Sequence, residues 1–373
     1  MHRRALWVGL CVALSTSACV HTSAAGTAKP DLRGREVTFD EVTITGDLEL
    51  DKLNDEELFA AGTSFYAAED WAQAARYFGR ICDFHQASKH RRLALYNAGL
   101  SLEKLKSWEE AFARFSELAD PRGFGDALDA AFRKAEVLYH LEQYDQAVEV
   151  LTAIADRSDL GPDKRIEARV QAGVCQLEMG KKDEAEATLR AVLTFWQGLP
   201  DKDLVDDYFP AQAQFFLGEI YRLHFESMAL DGTKSTAKLA EDLEYKSELL
   251  LSSQGHYLRA IRIGNGYWAT AAGAMIGGLY ENMYDHMVNA PAPTELSEAE
   301  REVYRTELRK KIRVLISKAI SVYERTLEAA ERIGASSPFV EQTRESLRRM
   351  KELLLAEAKA EEEHSPVPAR PGT

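Results

Sequence analysis

The sequence predicts an all-α solenoid, a superhelix of stacked helix pairs, with one short β-like segment near the N-terminus. Three observations predict it. From Asn54 onward the apolar residues recur at helical spacing. Within that region a small residue, an alanine twelve positions on and a large apolar residue four beyond it recur as Gly62/Ala74/Phe78, Gly99/Ala111/Phe115, Ala135/Ala147/Leu151 and Gly173/Ala185/Leu189, at intervals of 37, 36 and 38 residues. Small residues in both helices of a pair let the backbones approach, and the large residue fills the space beside them. Finally, a chain of 373 residues that is 45% hydrophobic and 28% charged can extend one continuous core by stacking such units.

The first element lies outside that array. MHRRALWVGLCVALSTSAC combines a basic start, an apolar run from Ala5 to about Leu14 and the small residues Thr16-Ser17-Ala18, the layout of a secretory signal too short to span a bilayer. Ending on cysteine, residues 1–18 resemble a bacterial lipoprotein signal, although Thr16 stands where Leu or Val is usual. The resemblance implies lipid attachment at Cys19 and, with Val20 rather than Asp following, an outer-membrane location. A polar linker is expected over 19–34. The segment 35–53 follows, in which Val37, Phe39, Val42 and Ile44 alternate with polar neighbours.

The four repeats occupy 54–199. Leu95 to Leu118, LYNAGLSLEKLKSWEEAFARFSEL, resembles the tetratricopeptide consensus nearly end to end, with units slightly longer than the roughly 34 residues of that family. Trp71, Trp108 and Tyr144 supply the aromatic three positions before the second alanine, and the fourth unit departs with Lys182. Ser107 and Glu110 have the spacing of a capping box. Cys82 and Cys175 fall three units apart, too far to bridge, and are expected as buried small hydrophobes.

A divergent, long-helix continuation is expected over 200–336. Phe215 to Phe225 predicts a further first helix, and a long helix runs from about Ala237 to Ile263. GYWATAAGAMIGGLYENM, Gly266 to Met283, is uncharged from Tyr267 to Tyr280, shorter than a membrane span needs. No Gly-Lys-Ser/Thr follows Gly264-Asn265-Gly266, so a phosphate loop is excluded too. It reads as a packed helix, with Trp268, Ile276, Tyr280 and Met283 on one face. Ser297 and Glu300 form a second capping-box pattern before a long helix to Gly334. Ser337-Pro338 opens a capping helix over 337–363, and a disordered tail is expected over 364–373.

The region from Leu239 to Gly334 is similar to tetratricopeptide lipoproteins of gliding deltaproteobacteria, on Tyr257, Trp268, Gly277, Tyr280, Pro291, Pro293 and Tyr304. That resemblance implies a place in the adventurous gliding motility apparatus or a related envelope assembly. It also implies envelope proteins, periplasmic or outer-membrane, as partners.

Chemistry is harder to find. Sixty carboxylates against 46 Lys and Arg, a net charge of −14, exclude nucleic acid. There is no His-Glu-x-x-His, no Cys-x-x-Cys and no Gly-x-Ser-x-Gly, so no enzyme, cofactor, metal or small-molecule substrate is expected. A binding groove is expected instead, three before and four after each small residue: Phe59 and Tyr66, Tyr96 and Glu103, Phe132 and Tyr139, Val170 and Leu177. The function expected is therefore a scaffold or adaptor anchored in the outer membrane and facing the periplasm. An assembly factor for outer-membrane proteins, or a pilotin for a secretin, is the alternative.

Overall fold

The computed structural model describes residues 45–364, apart from 203, 204, 232, 233, 290, 291 and 294. The chain divides into Met1–Gly46 and Asp47–Thr373, and nearly all described residues belong to the second unit. Cys19, the linker and the alternating residues Val37 to Ile44 lie outside the described residues. The remainder of the β-like segment, from Thr45, holds no strand; a single 3-10 turn, Leu50–Lys52, forms there instead.

Its conformation follows from charge. Asp47, Glu49 and Asp51 alternate along the chain and are drawn onto the next helix pair. Arg76 bonds Asp47 at 2.7 Å and Glu49 at 3.0 Å, the Tyr77 hydroxyl donates to Glu49 at 2.8 Å, and Arg80 bonds Asp51 at 2.8 Å. Leu50 is buried between these anchors.

Thirteen α-helices make up the rest of the described chain. Eight are short: α1 (Asp55–Ala67), α2 (Trp71–Phe84), α3 (Arg91–Lys104), α4 (Trp108–Leu118), α5 (Asp126–His140), α6 (Tyr144–Ala155), α7 (Pro162–Glu178) and α8 (Lys182–Gln197). Five are longer: α9 (Tyr208–Ser227), α10 (Thr236–Ile263), α11 (Gly266–Asn289), α12 (Glu298–Ile333) and α13 (Pro338–His364). Each packs on the next, and the odd-numbered helices also touch one another, α3 on α5, α7 on α9, α9 on α11 and α11 on α13. This is an all-α solenoid of the tetratricopeptide type.

The repeat works as steric lock and key. A Cβ on Gly99 would stand 2.5 Å from the Phe115 ring, one on Gly62 2.9 Å from Phe78, and one on Gly173 2.9 Å from Leu189. In each case the first helix's small residue meets the large residue sixteen positions later, on the second helix. The same contact continues where the sequence pattern fades. Gly218 of α9 faces Tyr257 of α10, and Gly277 of α11 faces Tyr323 of α12. The separations there grow to 39 and 46 residues because the second helices are longer.

The turn inside each short pair is equally regular. Glu69, Lys106, Glu142 and Gly180 all sit seven positions after the small residue with φ of 59°, 60°, 60° and 78°. The next amide reaches back over five residues, Asp70 to Phe65, Ser107 to Leu102, Gln143 to Leu138 and Lys181 to Gln176. These are Schellman ends, which satisfy the last carbonyls of the first helix. They also correct the capping box expected at Ser107 and Glu110, since the Ser107 side chain makes no capping bond. The Ser107 amide, which Glu110 would have to accept, is already donated to Leu102. Asn54 with Glu57 and Ser297 with Glu300 do form capping boxes, because neither cap residue is consumed by a preceding helix.

The Gly266–Met283 stretch lies in α11, and among the described helices none is long and apolar enough to cross a membrane. Trp268, Ile276, Tyr280 and Met283 are buried there, Trp268 against Phe215 at 5.0 Å and Phe216 at 5.9 Å between ring centres. Cys82 and Cys175 are free, buried thiols, each pushed up to about 12 by burial.

Candidate functional site

Where successive odd-numbered helices meet, α1, α3, α5 and α7 bring aromatic and charged side chains into one row. Tyr66 of α1 is half-buried, its ring edge-on to Trp71 at 4.9 Å. Tyr96 of α3 packs edge-on to Phe115 at 5.9 Å, and its hydroxyl lies near the Arg133 guanidinium of α5. Burial raises both phenols above their ordinary value. Tyr139 of α5 donates to Glu178 of α7 at 3.3 Å and lies against Tyr144 at 5.3 Å.

Charge runs through the centre of this row. Arg133 bonds Glu136, one turn on, at 3.0 Å, and lies 3.7 Å from the nearer oxygen of Glu103 on α3. The other oxygen of Glu103, Oε1, is shielded from solvent and has no hydrogen-bond partner. Burial, with Glu136 as a like-charged neighbour, pushes the Glu103 carboxyl up to about 8 against the pull of Arg133 and Lys104. On α7, Lys164 holds Glu167 at 3.0 Å, and burial raises that carboxyl as well. Three carboxylates therefore share a poorly hydrated strip with two bonded cations.

The residues read from the sequence are placed unequally. Tyr66, Tyr96 and Glu103 come together. Tyr139 stands in the same ladder but spends its hydroxyl on Glu178. Phe132 is only 8% exposed, with the Lys164 ammonium 5.1 Å above its ring. Phe59 stacks on His90 at 4.6 Å. Val170, expected in the groove, is fully buried behind it, and Leu177 is half-buried. In the long-helix region Tyr257 lies against Gly218 with its hydroxyl bonded to Glu219, Gly277 receives Tyr323, and Lys318 lies 5.4 Å above the Tyr280 ring. Pro293 is buried, Tyr304 is half-buried on the first turns of α12, and Pro291 lies outside the described residues.

Sequence reasoning missed Arg133, Glu136, Lys164 and Glu167. As i,i+3 charge pairs they look like any solvated helix face. The signal that finds them is register: Arg133 and Glu136 flank the small residue Ala135, on the same side as the expected groove positions.

Surface depressions occur elsewhere, one near Gly264, Tyr267, Ile333 and Ser337 and one along Arg313 to Ser321 of α12. Neither is lined by His, Cys, Asp or Glu. Among the described residues no group of three or more such side chains could hold a metal ion.

A tetratricopeptide repeat family model matches residues 167–194, which span most of α7 and α8. No curated protein matches the chain. Among solved structures, the chain is similar to a tetratricopeptide repeat protein from Parabacteroides merdae, at 13% identity over 80% of this chain and 98% of that one, with a TM-score of 0.36. A tetratricopeptide repeats protein from Bacteroides fragilis aligns at 14% identity over 80% and 99%, with a TM-score of 0.30. MamA from Desulfovibrio magneticus aligns at 17% identity over 53% and 96%, with a TM-score of 0.35.

Proposed function

We propose that this chain is a lipid-anchored adaptor of a bacterial envelope complex, holding a partner protein on the face where α1, α3, α5 and α7 meet. The observation that carries the reading is the row of Tyr66, Tyr96, Glu103 and Arg133. It joins aromatic surface to incompletely satisfied polar groups, the mixture on which protein interfaces depend. Anchoring rests on the signal-like residues 1–18 and on Cys19, which would receive the lipid. An outer-membrane position facing the periplasm rests on Val20, and a motility assembly on the similarity of Leu239 to Gly334 to gliding-machine lipoproteins.

Co-purification from detergent-solubilised envelopes tests this reading. Wild type is compared with Cys19→Ala and with Tyr66→Ala/Tyr96→Ala, whose helicity is checked by circular dichroism. Motility or trans-envelope proteins recovered with wild type and lost from the tyrosine variant are expected. Barrel-insertion machinery or a secretin recovered in their place would establish the assembly-factor or pilotin alternative. A wild-type protein that is soluble without detergent and brings nothing with it would overturn both anchor and adaptor.

A further inference from the structure

The chemistry of the partner is written in the charge of this face. Glu103 Oε1 is buried without a donor, and the nearest cation to the carboxylate, Arg133, is already bonded to Glu136. An unpaired buried acceptor costs roughly 1–3 kcal/mol, which a donor arriving with a partner would recover. The surrounding groups decide the sign of that donor. Tyr66 faces the site from α1, Tyr96 and Lys104 from α3, Asp129, Arg133 and Glu136 from α5, and Lys164 and Glu167 from α7. Lys104 is exposed, and the two remaining cations are bonded to their own carboxylates. An acidic segment would have to be desolvated against Glu103, Glu136 and Glu167, whereas a cation would be attracted by them and by the faces of Tyr66 and Tyr96. The net charge of −14 favours encounter with the same class of partner.

We infer that the odd-helix face takes a partner segment presenting a lysine or arginine side chain to Glu103, between the Tyr66 and Tyr96 rings. This rests on the adaptor reading above and names the chemistry of its ligand. The carboxyl of Glu103, held near 8 in the free protein, loses its proton when a cation docks, so binding is tighter at higher pH. Between that value and the lower one the carboxyl takes beside a docked cation, each pH unit changes the affinity roughly tenfold.

The test is selection of short random peptides on the full chain. Enriched peptides are expected to share a basic residue and to lose affinity at least about tenfold when Glu103 is changed to Gln. They are also expected to bind wild type roughly tenfold tighter at pH 7 than at pH 6, a gain absent in Glu103→Gln. Replacing the peptide's arginine by citrulline gives the same reading on the unaltered protein. Acidic or wholly apolar consensus peptides, or basic ones indifferent to both changes, would overturn the inference and leave the adaptor reading standing. If no enriched peptide depends on Tyr66 and Tyr96, the binding face itself is refuted.

Discussion

Gly277 and Gly278 are adjacent in α11, yet their environments are opposite. A Cβ on Gly277 would stand 2.1 Å from the Tyr323 ring, which is only 2% exposed and has its hydroxyl donated to Glu281 at 2.5 Å. A Cβ on Gly278 would meet nothing within 4 Å. Overpacking of this kind costs about 1–3 kcal/mol, while alanine in a helix interior is worth about 0.5–1 kcal/mol over glycine. Gly277→Ala should therefore lower the urea midpoint and Gly278→Ala should raise it. Two shifts of the same sign would mean that α11 and α12 do not pack in this register. The same reasoning applies to Gly99 and Phe115, where the sequence pattern is plain; at Gly277 it is hidden by the length of α12.

Helices end differently in the two halves of the array. The short pairs close with left-handed residues at Glu69, Lys106, Glu142 and Gly180, of which only the glycine is visible in sequence. By contrast, α9 is closed by its neighbour. Lys246 of α10, fully buried, donates to the Phe225 and Met228 carbonyls at 2.6 and 2.7 Å and lies 4.1 Å from the Phe225 ring. A cation suits the negative end of a helix. Burial nonetheless lowers its pKa to about 8 from an ordinary 10.5. Between those values the folded chain holds fewer protons at this site than the unfolded chain does, so its contribution to stability rises with pH across that window. Lys246→Met should leave two carbonyls unpaired, destabilising by roughly 1–3 kcal/mol at neutral pH. It should also remove this rise, read as the difference between wild-type and variant urea midpoints at pH 7.5 and at pH 10. A difference that stays constant with pH would show that Lys246 titrates normally.

For the molecule as a whole, stability is set by neighbours. Each pair buries its apolar face on the next, so damage at one end should stay local. The C-terminal helix α13 meets α11 through Phe339, edge-on to Tyr267 at 5.6 Å, and through Arg349 paired with Glu281, and meets α12 through Lys351 paired with Glu324 at 2.7 Å; Ser337, just before it, bonds Thr270 of α11 at 3.0 Å. A chain ending at Ser336 should lose hydrogen-exchange protection in α11 and α12 while α1 to α6 keep theirs. Equal loss along every helix would instead mean one indivisible cooperative unit.

The sequence by itself determined the helix-pair solenoid, because Gly62/Phe78, Gly99/Phe115 and Gly173/Leu189 repeat a contact at one fixed offset. It also carried Tyr66, Tyr96 and Glu103, which sit at constant positions relative to those small residues. Only the tertiary structure decided that Gly218 and Gly277 repeat the contact with Tyr257 and Tyr323, since the intervening helices differ in length and no fixed spacing survives. Only the structure, too, set Arg133 and Glu136 beside Glu103, and Glu167 with its partner Lys164 beside Glu136. Helical periodicity is local and can be read along the chain. Burial of a charge and the partners it finds depend on distances between helices, and those exist only after the array has stacked.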